Sequence, residues 1–272
     1  MKLFSRLLLL MVAVLCAFVC LYPVALMLLS SLKTNAEIFA KPMGLPSSLS
    51  LASYTQLLEQ LPYFGYVKNS AIVSIASVCL TLACGSSASF YIARFQFPWN
   101  GALFFYFLMG MMIPMKLGII PLFLFMRNLG LLGSLWSLIW VYTAIGIPIS
   151  VLILSRFFRT MPRELEEAAR IDGASNLSIF WHILLPVMKP ALGTVTIIHF
   201  ITVWNDFFFP LIFIHDEAKK TIPVGMLTLF SEYSTDWSVL FAGLTLSSLP
   251  MLLLFFAVSK QFMEGITAGA VK

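Results

Sequence analysis

Hydrophobic residues cluster along the chain in six runs, near 7–31, 67–92, 101–125, 135–155, 190–214 and 237–259, with polar connections between them. Each run is close to the roughly 20 residues that a helix needs to cross a bilayer. The pattern predicts an all-α membrane protein with six transmembrane helices, and an even number of spans places both termini on one side. No internal repeat and no low-complexity segment is evident. The first run follows a basic start, MKLFSR, as a secretory signal would. It continues to Ser31 with no A-x-A site after it, so it is expected to stay as an anchor.

Composition agrees. Hydrophobic residues make up 60% of the 272 and charged residues 11%, with a mean hydropathy of +0.94, against about 25% charged in soluble domains. The net charge of +5 is spread between apolar runs, with no Lys/Arg block of the kind that binds nucleic acid. Its distribution reports orientation instead. With the N-terminus inside, the inner segments hold Lys2, Arg6, Arg94, Arg156, Arg159, Arg163, Arg170, Lys189, Lys260 and Lys272, and the outer ones Lys33, Lys41, Lys68, Arg127, Lys219 and Lys220. The positive-inside rule therefore predicts cytoplasmic termini and a cytoplasmic segment between spans four and five. Cys16, Cys20, Cys79 and Cys84 all fall in apolar runs and are expected to be small buried hydrophobes. Neither a disulfide nor a metal site is expected: Cys16 and Cys20 lie i, i+4, but no His or carboxylate is close in sequence.

The segment between spans four and five is unusually well specified. In MPRELEEAARIDG (161–173), Pro162 suits a helix start. Glu164, Glu166 and Glu167 favour the positive end of the helix dipole, and Arg170 the negative end. Glu166 and Arg170 are an i, i+4 pair, and Gly173 supplies a left-handed stop. Ser175 or Asn176 caps a second helix, which runs to Pro186. Ala168 and Ala169 leave a low surface for another protein, whereas Phe180, Trp181 and Ile183 need cover from the ends of neighbouring spans.

Lys116, Asp206 and His199 are ionisable residues well inside apolar runs, where each needs a reason. Lys116 sits between Pro114 and Pro121, roughly 22 Å along its span from residue 101, and Asp206 about 24 Å along its own from residue 190. Contact with an anionic or heavily hydroxylated solute, pairing with Asp206, and snorkelling to the headgroups all fit Lys116. Trp204 and Asn205 beside Asp206 offer the stacking face and hydrogen bonds that suit a sugar. His199, mid-span, is expected to be an interhelical hydrogen-bonder. The chain lacks the G-x-x-x-x-G-K-[ST] phosphate loop and the H-E-x-x-H and G-x-S-x-G motifs, which speaks against an ATPase or an intramembrane hydrolase. An ion-coupled transporter would be expected to show two related halves.

The spacing Glu167-Ala168-Ala169, Gly173, Ile183 and Leu185-Pro186 resembles the EAA motif of permease subunits in bacterial ABC importers. SLKTNAEIF after the first run, NSAIVS (69–74), IPMKLGIIPLF (113–123), WNDFFFP (204–210), TIPVGM (221–226) and GITAGAVK (265–272) are similar to carbohydrate permeases of the maltose type, in particular the second subunit of the pair. The resemblance implies a type I ABC importer permease fold with a cytoplasmic coupling helix between spans four and five. The whole chain, 1–272, would be one transmembrane permease domain: an anchor at 1–31, a core at 67–260, the coupling loop at 156–190 and a cytoplasmic tail at 261–272. It assigns ATPase coupling to Glu167, Ala168, Ala169, Asp172, Gly173, Ile183 and Pro186. Lys116, Trp204, Asn205 and Asp206 become candidates for the solute pathway, although related permeases often carry glutamine where Lys116 stands. Gly265, Thr267 and Gly269 belong to a tail expected near the ATPase pair. The implied partners are a second permease, two ATP-binding-cassette ATPases that carry the ATP and Mg, an extracytoplasmic solute-binding protein and the lipid of a bacterial inner membrane. No cofactor is expected in this chain. The solute would be a sugar or oligosaccharide; a non-sugar solute and an ion-coupled transporter are the alternatives.

Overall fold

In the computed structural model, which describes residues 2–230 and 235–270, every regular element among the described residues is helical. Among the described residues, four helices are long and apolar enough to span a membrane: Arg6–Ser30, Tyr63–Arg94, Leu135–Thr160 and Trp237–Gln261. They coincide with four of the six apolar runs.

The other two runs are not single unbroken helices. The run at 101–125 is divided into Asn100–Met112 and Ile119–Asn128. Pro114 has no N–H to give, and the residue before a proline is pushed out of helical geometry; Ile113 is extended, with ψ 116°. The run at 190–214 is divided into Lys189–Trp204 and Phe208–Phe213. There the carboxylate of Asp206 accepts the N–H of Phe209 at 3.1 Å and restarts the chain as a short helix.

The chain folds as two compact units, Met1–Phe64 with Val224–Pro250, and Gly65–Pro223 with Met251–Lys272. In the first unit, Arg6–Ser30 has none of its span buried. After it Lys33 is almost fully buried and donates to the carbonyls of Lys41 and Pro42, at 3.0 and 3.2 Å.

The second unit holds the regions of interest. Its spans approach closely at small residues, as membrane helices do. A Cβ on Gly85 would lie 1.9 Å from Ser150 Oγ, and one on Gly146 2.5 Å from the His199 ring, so both positions require glycine. His199 is buried and shares a hydrogen bond with Thr81 Oγ1 at 3.1 Å. Two apolar clusters fill the unit, one around Tyr142, Val203 and Phe213, the other around Phe158, Phe180 and Leu184.

One expectation changes. The four cysteines are free and exposed on helix faces, not buried; a small apolar side chain suits a lipid-facing position as well as a packed one. The last helix, Trp237–Ala270, runs through Gly265, Thr267 and Gly269. The side chains of those three residues, and residues 271–272, lie outside what is described.

Candidate coupling loop and solute-facing cavity

The loop after Leu135–Thr160 is a helix, a stop and a second helix. The Glu164–Ile171 helix opens where the N–H groups of Glu166 and Glu167 both bond the carbonyl of Arg163, at 2.9 and 3.0 Å. It ends as expected at Gly173, with φ +83°. Gly173 N–H bonds the Arg170 carbonyl (3.0 Å) and Ala174 N–H the Ala169 carbonyl (2.9 Å), the paired bonds of a Schellman stop. Ser175 then caps the next helix by accepting from Ser178 N–H at 3.3 Å.

That second helix, Asn176–Val187, contains a π-helical stretch at Ile179–Leu184. It meets Lys189–Trp204 at a 75° bend, so the loop turns sharply away from the span that follows. Ala169, Ile179, Phe180 and Leu184 are buried among Phe158, Met161 and Met188, with Ile183 partly covered. Trp181 remains 55% exposed, together with Leu177 and Ile171. Glu167, Ala168, Asp172, Gly173 and Pro186 are exposed as well. The loop therefore has an inner face that packs on its own unit and an outer face of carboxylates, small residues and bare apolar side chains.

The inner face is held by charge. Arg94 Nε lies 2.6 Å from Glu166 Oε1, with the two side chains 5% and 4% exposed, and Arg94 Nη2 donates to the Met161 carbonyl at 3.0 Å. Arg170 meets the other Glu166 oxygen at 3.4 Å from a much more open position. The Glu166–Arg170 pair is thus present, but Glu166 points inward rather than to solvent, and its main partner is at the end of the Tyr63–Arg94 helix.

The second region is a cavity of about 780 Å³ whose lining includes Tyr106, Lys116, Tyr142, Thr202, Asp206 and Phe209. It opens beside the break at Ile113–Gly118. Lys116 and Asp206 are brought together, Nζ to Oδ1 3.8 Å, with Lys116 63% exposed and Asp206 13%. Asp206 Oδ2 accepts from the Tyr142 hydroxyl at 2.8 Å as well as from Phe209 N–H. Lys116 also lies over the Phe208 ring, 5.3 Å from its centre. Trp204 and Asn205 do not line this cavity: Trp204 is buried and stacked on Phe200 at 5.3 Å, and Asn205 donates to the Ile201 carbonyl and to Met251 Sδ. Trp204 ends its helix while Asn205 and Asp206 lie in the break after it, so these three consecutive side chains take different directions.

A third cluster, not anticipated, fastens residues 217–222 to the start of the Tyr63–Arg94 helix. Asn69 Nδ2 donates to the carbonyls of Ala218 and Lys220, both at 2.9 Å. Ser70 Oγ accepts the N–H of Ile222 at 2.9 Å. The buried Tyr66 hydroxyl donates to Glu217, which is also bound by Lys220.

Similarity to known proteins covers these regions. Residues 82–266 match the family described as the binding-protein-dependent transport system inner membrane component. A probable ABC transporter permease of Bacillus subtilis (strain 168) is 35% identical over 251 residues, 92% of this chain and 83% of that one. The melibiose/raffinose/stachyose import permease of the same organism is 33% identical over 251 residues, 92% and 91% of the two chains. A bacterial ABC transporter involved in import of the acidic polysaccharide alginate has a solved structure with TM-score 0.82 and 22% identity, over 96% of this chain and 97% of that one; the likeness is one of fold.

Proposed function

Because the chain belongs to the binding-protein-dependent transport system inner membrane component family, non-catalytic membrane subunits with the ABC importer permease fold, we propose that it forms, with a partner permease, the pathway by which a sugar or oligosaccharide is imported. Separate ATPases would bind ATP and Mg, and a solute-binding protein would deliver the solute from outside. Both termini and the 161–188 loop would face the cytoplasm. The two broken runs would complete a set of six crossings. The sugar class is supported by the named substrates of the melibiose/raffinose/stachyose relative.

One observation carries the proposal: the 161–188 loop turns its packed face inward and leaves Glu167, Ala168, Ile171, Leu177 and Trp181 uncovered. Monomeric proteins rarely leave contiguous apolar side chains bare without a partner to cover them. Glu167, Ala168, Asp172 and Gly173 are then ATPase contacts, whereas Ala169 and Ile183 act from the inner face. Lys116 and Asp206 form the solute-facing part of this subunit. The tail containing Gly265, Thr267 and Gly269 would approach the ATPase pair.

The test is reconstitution of the assembled transporter in proteoliposomes, with a cysteine at position 168 and labelled raffinose as solute. Disulfide capture of an ATPase subunit and ATP-dependent accumulation are expected. Accumulation driven by an ion gradient without ATP would overturn the proposal in favour of a secondary transporter. Uptake confined to a non-sugar solute would overturn the sugar class alone.

A further inference from the structure

The Tyr63–Arg94 helix supplies the side chains that hold a loop at each of its ends. At its last residue, Arg94 forms an ion pair with Glu166, Nε to Oε1, and donates from Nη2 to the Met161 carbonyl, so one guanidinium fastens both the Glu164–Ile171 helix and the link that precedes it. Its extended, planar charge can face the carboxylate while one nitrogen donates to the carbonyl, which a compact ammonium does less readily. The site is nearly closed to water, so nothing replaces these contacts if the loop shifts against the helix. About seven turns away, Tyr66, Asn69 and Ser70 hold residues 217–222, with both hydrogens of the Asn69 amide used. Ser70 and Arg94 are roughly 36 Å apart along the helix axis.

Between these handles the helix is unbroken. The other three long helices contain proline, at Pro23, Pro148 and Pro250; Tyr63–Arg94 has none in 32 residues. Proline frees backbone carbonyls and kinks a helix, so this one, continuous through Gly85-Ser86-Ser87, lacks the commonest cause of a break. Midway, Gly85 sits against Ser150 and Thr81 bonds His199; the helix is guided by its neighbours without being interrupted.

We propose that the Tyr63–Arg94 helix is the strut through which displacement of the 161–188 loop reaches residues 217–222, and that Arg94 is the positioning residue that fastens the strut to the loop. This rests on the coupling role given to the loop above. Arg170, which shares Glu166 from an exposed position, is free to exchange its partner when an ATPase docks, while the Arg94 bond stays closed. The outer loop is then not a passive connection: its position reports the state of the cytoplasmic loop to whatever protein docks outside.

The assembled transporter in proteoliposomes tests this, with a nitroxide on a cysteine at position 218 and the four native cysteines replaced by alanine. Addition of MgATP with vanadate is expected to change the mobility of the parent label. In the double variant Arg94→Met with Glu166→Met, which removes the pair without stranding a charge, the label is expected to stop responding and solute moved per ATP to fall at least tenfold. The exchange Arg94→Glu with Glu166→Arg is expected to recover a third or more of both. A double variant that keeps the response and the stoichiometry overturns the proposal. Should that variant fail to assemble, Arg94→Lys decides: it retains the charge but not the two-way grip, and full coupling in it overturns the proposal equally. Disulfide capture of the ATPase from position 168 separates the two readings. If capture succeeds while the variants remain coupled, only the strut falls; if capture fails in the parent, the loop's coupling role falls and takes the strut with it.

Discussion

Among the described residues, the second unit contains two ion pairs between residues far apart in the chain, and they are built in opposite ways. Arg94 and Glu166 meet at 2.6 Å with almost no exposure, each with a further partner. Lys116 and Asp206 are 3.8 Å apart, the lysine mostly exposed and the aspartate already engaged by Tyr142 and Phe209. A closed pair cannot exchange its partners for water, so it fixes the position of whatever carries it. An open pair whose acid is otherwise satisfied leaves its base available. One member of the comparison fixes the loop to the end of a long helix; the other offers an ammonium to the cavity.

The largest expected effect breaks this contrast if it fails to appear. Glu166→Leu leaves the Arg94 guanidinium buried and unpaired, a change that destabilises by about 3–5 kcal/mol, whereas Lys116→Met is expected to shift stability by less than about 1 kcal/mol, as exposed pairs do. Unfolding of the purified subunit in detergent measures both; equal losses would mean that the two pairs do the same job. Next is the stop at Gly173. A Cβ there meets nothing within 4 Å, so Gly173→Val acts through backbone strain alone, roughly 1–3 kcal/mol. Gly173→Asn should lose much less, because asparagine tolerates the left-handed region. Limited proteolysis of the loop distinguishes the two.

Smaller is Tyr142→Phe, which removes one hydrogen bond to Asp206. A loss of about 1 kcal/mol is expected, with solute affinity altered more than ATP hydrolysis if the cavity is the pathway. The smallest effect concerns an exposed acid. Hydrogen bonds from Lys220 and then Tyr66 hold the Glu217 carboxyl below the usual carboxylate range. Its folded value is depressed, so its contribution is complete above the ordinary glutamate value near 4.3 and is lost as pH falls through the lower folded value. A nitroxide on a cysteine at position 218 should therefore gain mobility only on the acid side of that value, and Glu217→Gln should flatten the profile.

Much of the loop was legible because its determinants are local. Three glutamates, a glycine and a serine within a dozen residues set a helix, its stop and the next cap, and the Schellman bonds at Gly173 follow from them. The apolar runs were legible for the same reason. What escaped depends on contacts far apart in the chain. Nothing near Glu166 announces Arg94, and nothing near Glu217 announces Tyr66 or Asn69. Lys116 and Asp206 could be matched by depth, but their separation and the claim of Tyr142 on the acid are facts of packing. The break at Pro114 had a signal, since proline was present, yet a hydrophobic run looks the same whether or not the helix within it is continuous. The exposure of the cysteines and of Trp181 followed from which helix faces find neighbours, and apolarity alone does not choose between lipid, protein and partner.

The π-helical stretch at Ile179–Leu184 has a consequence for inheritance. A π turn holds about one residue more than an α turn, so a gene that lost one codon in this stretch could close the ladder as regular α-helix with little rotation of what lies on either side. A codon lost from a regular α-helix instead turns everything before it by about 100°. The surplus residue at Ile179–Leu184 is therefore a place where length can change while the two flanking segments keep their relation. In descendants of this chain, a one-residue deletion should be tolerated better there than within Glu164–Ile171.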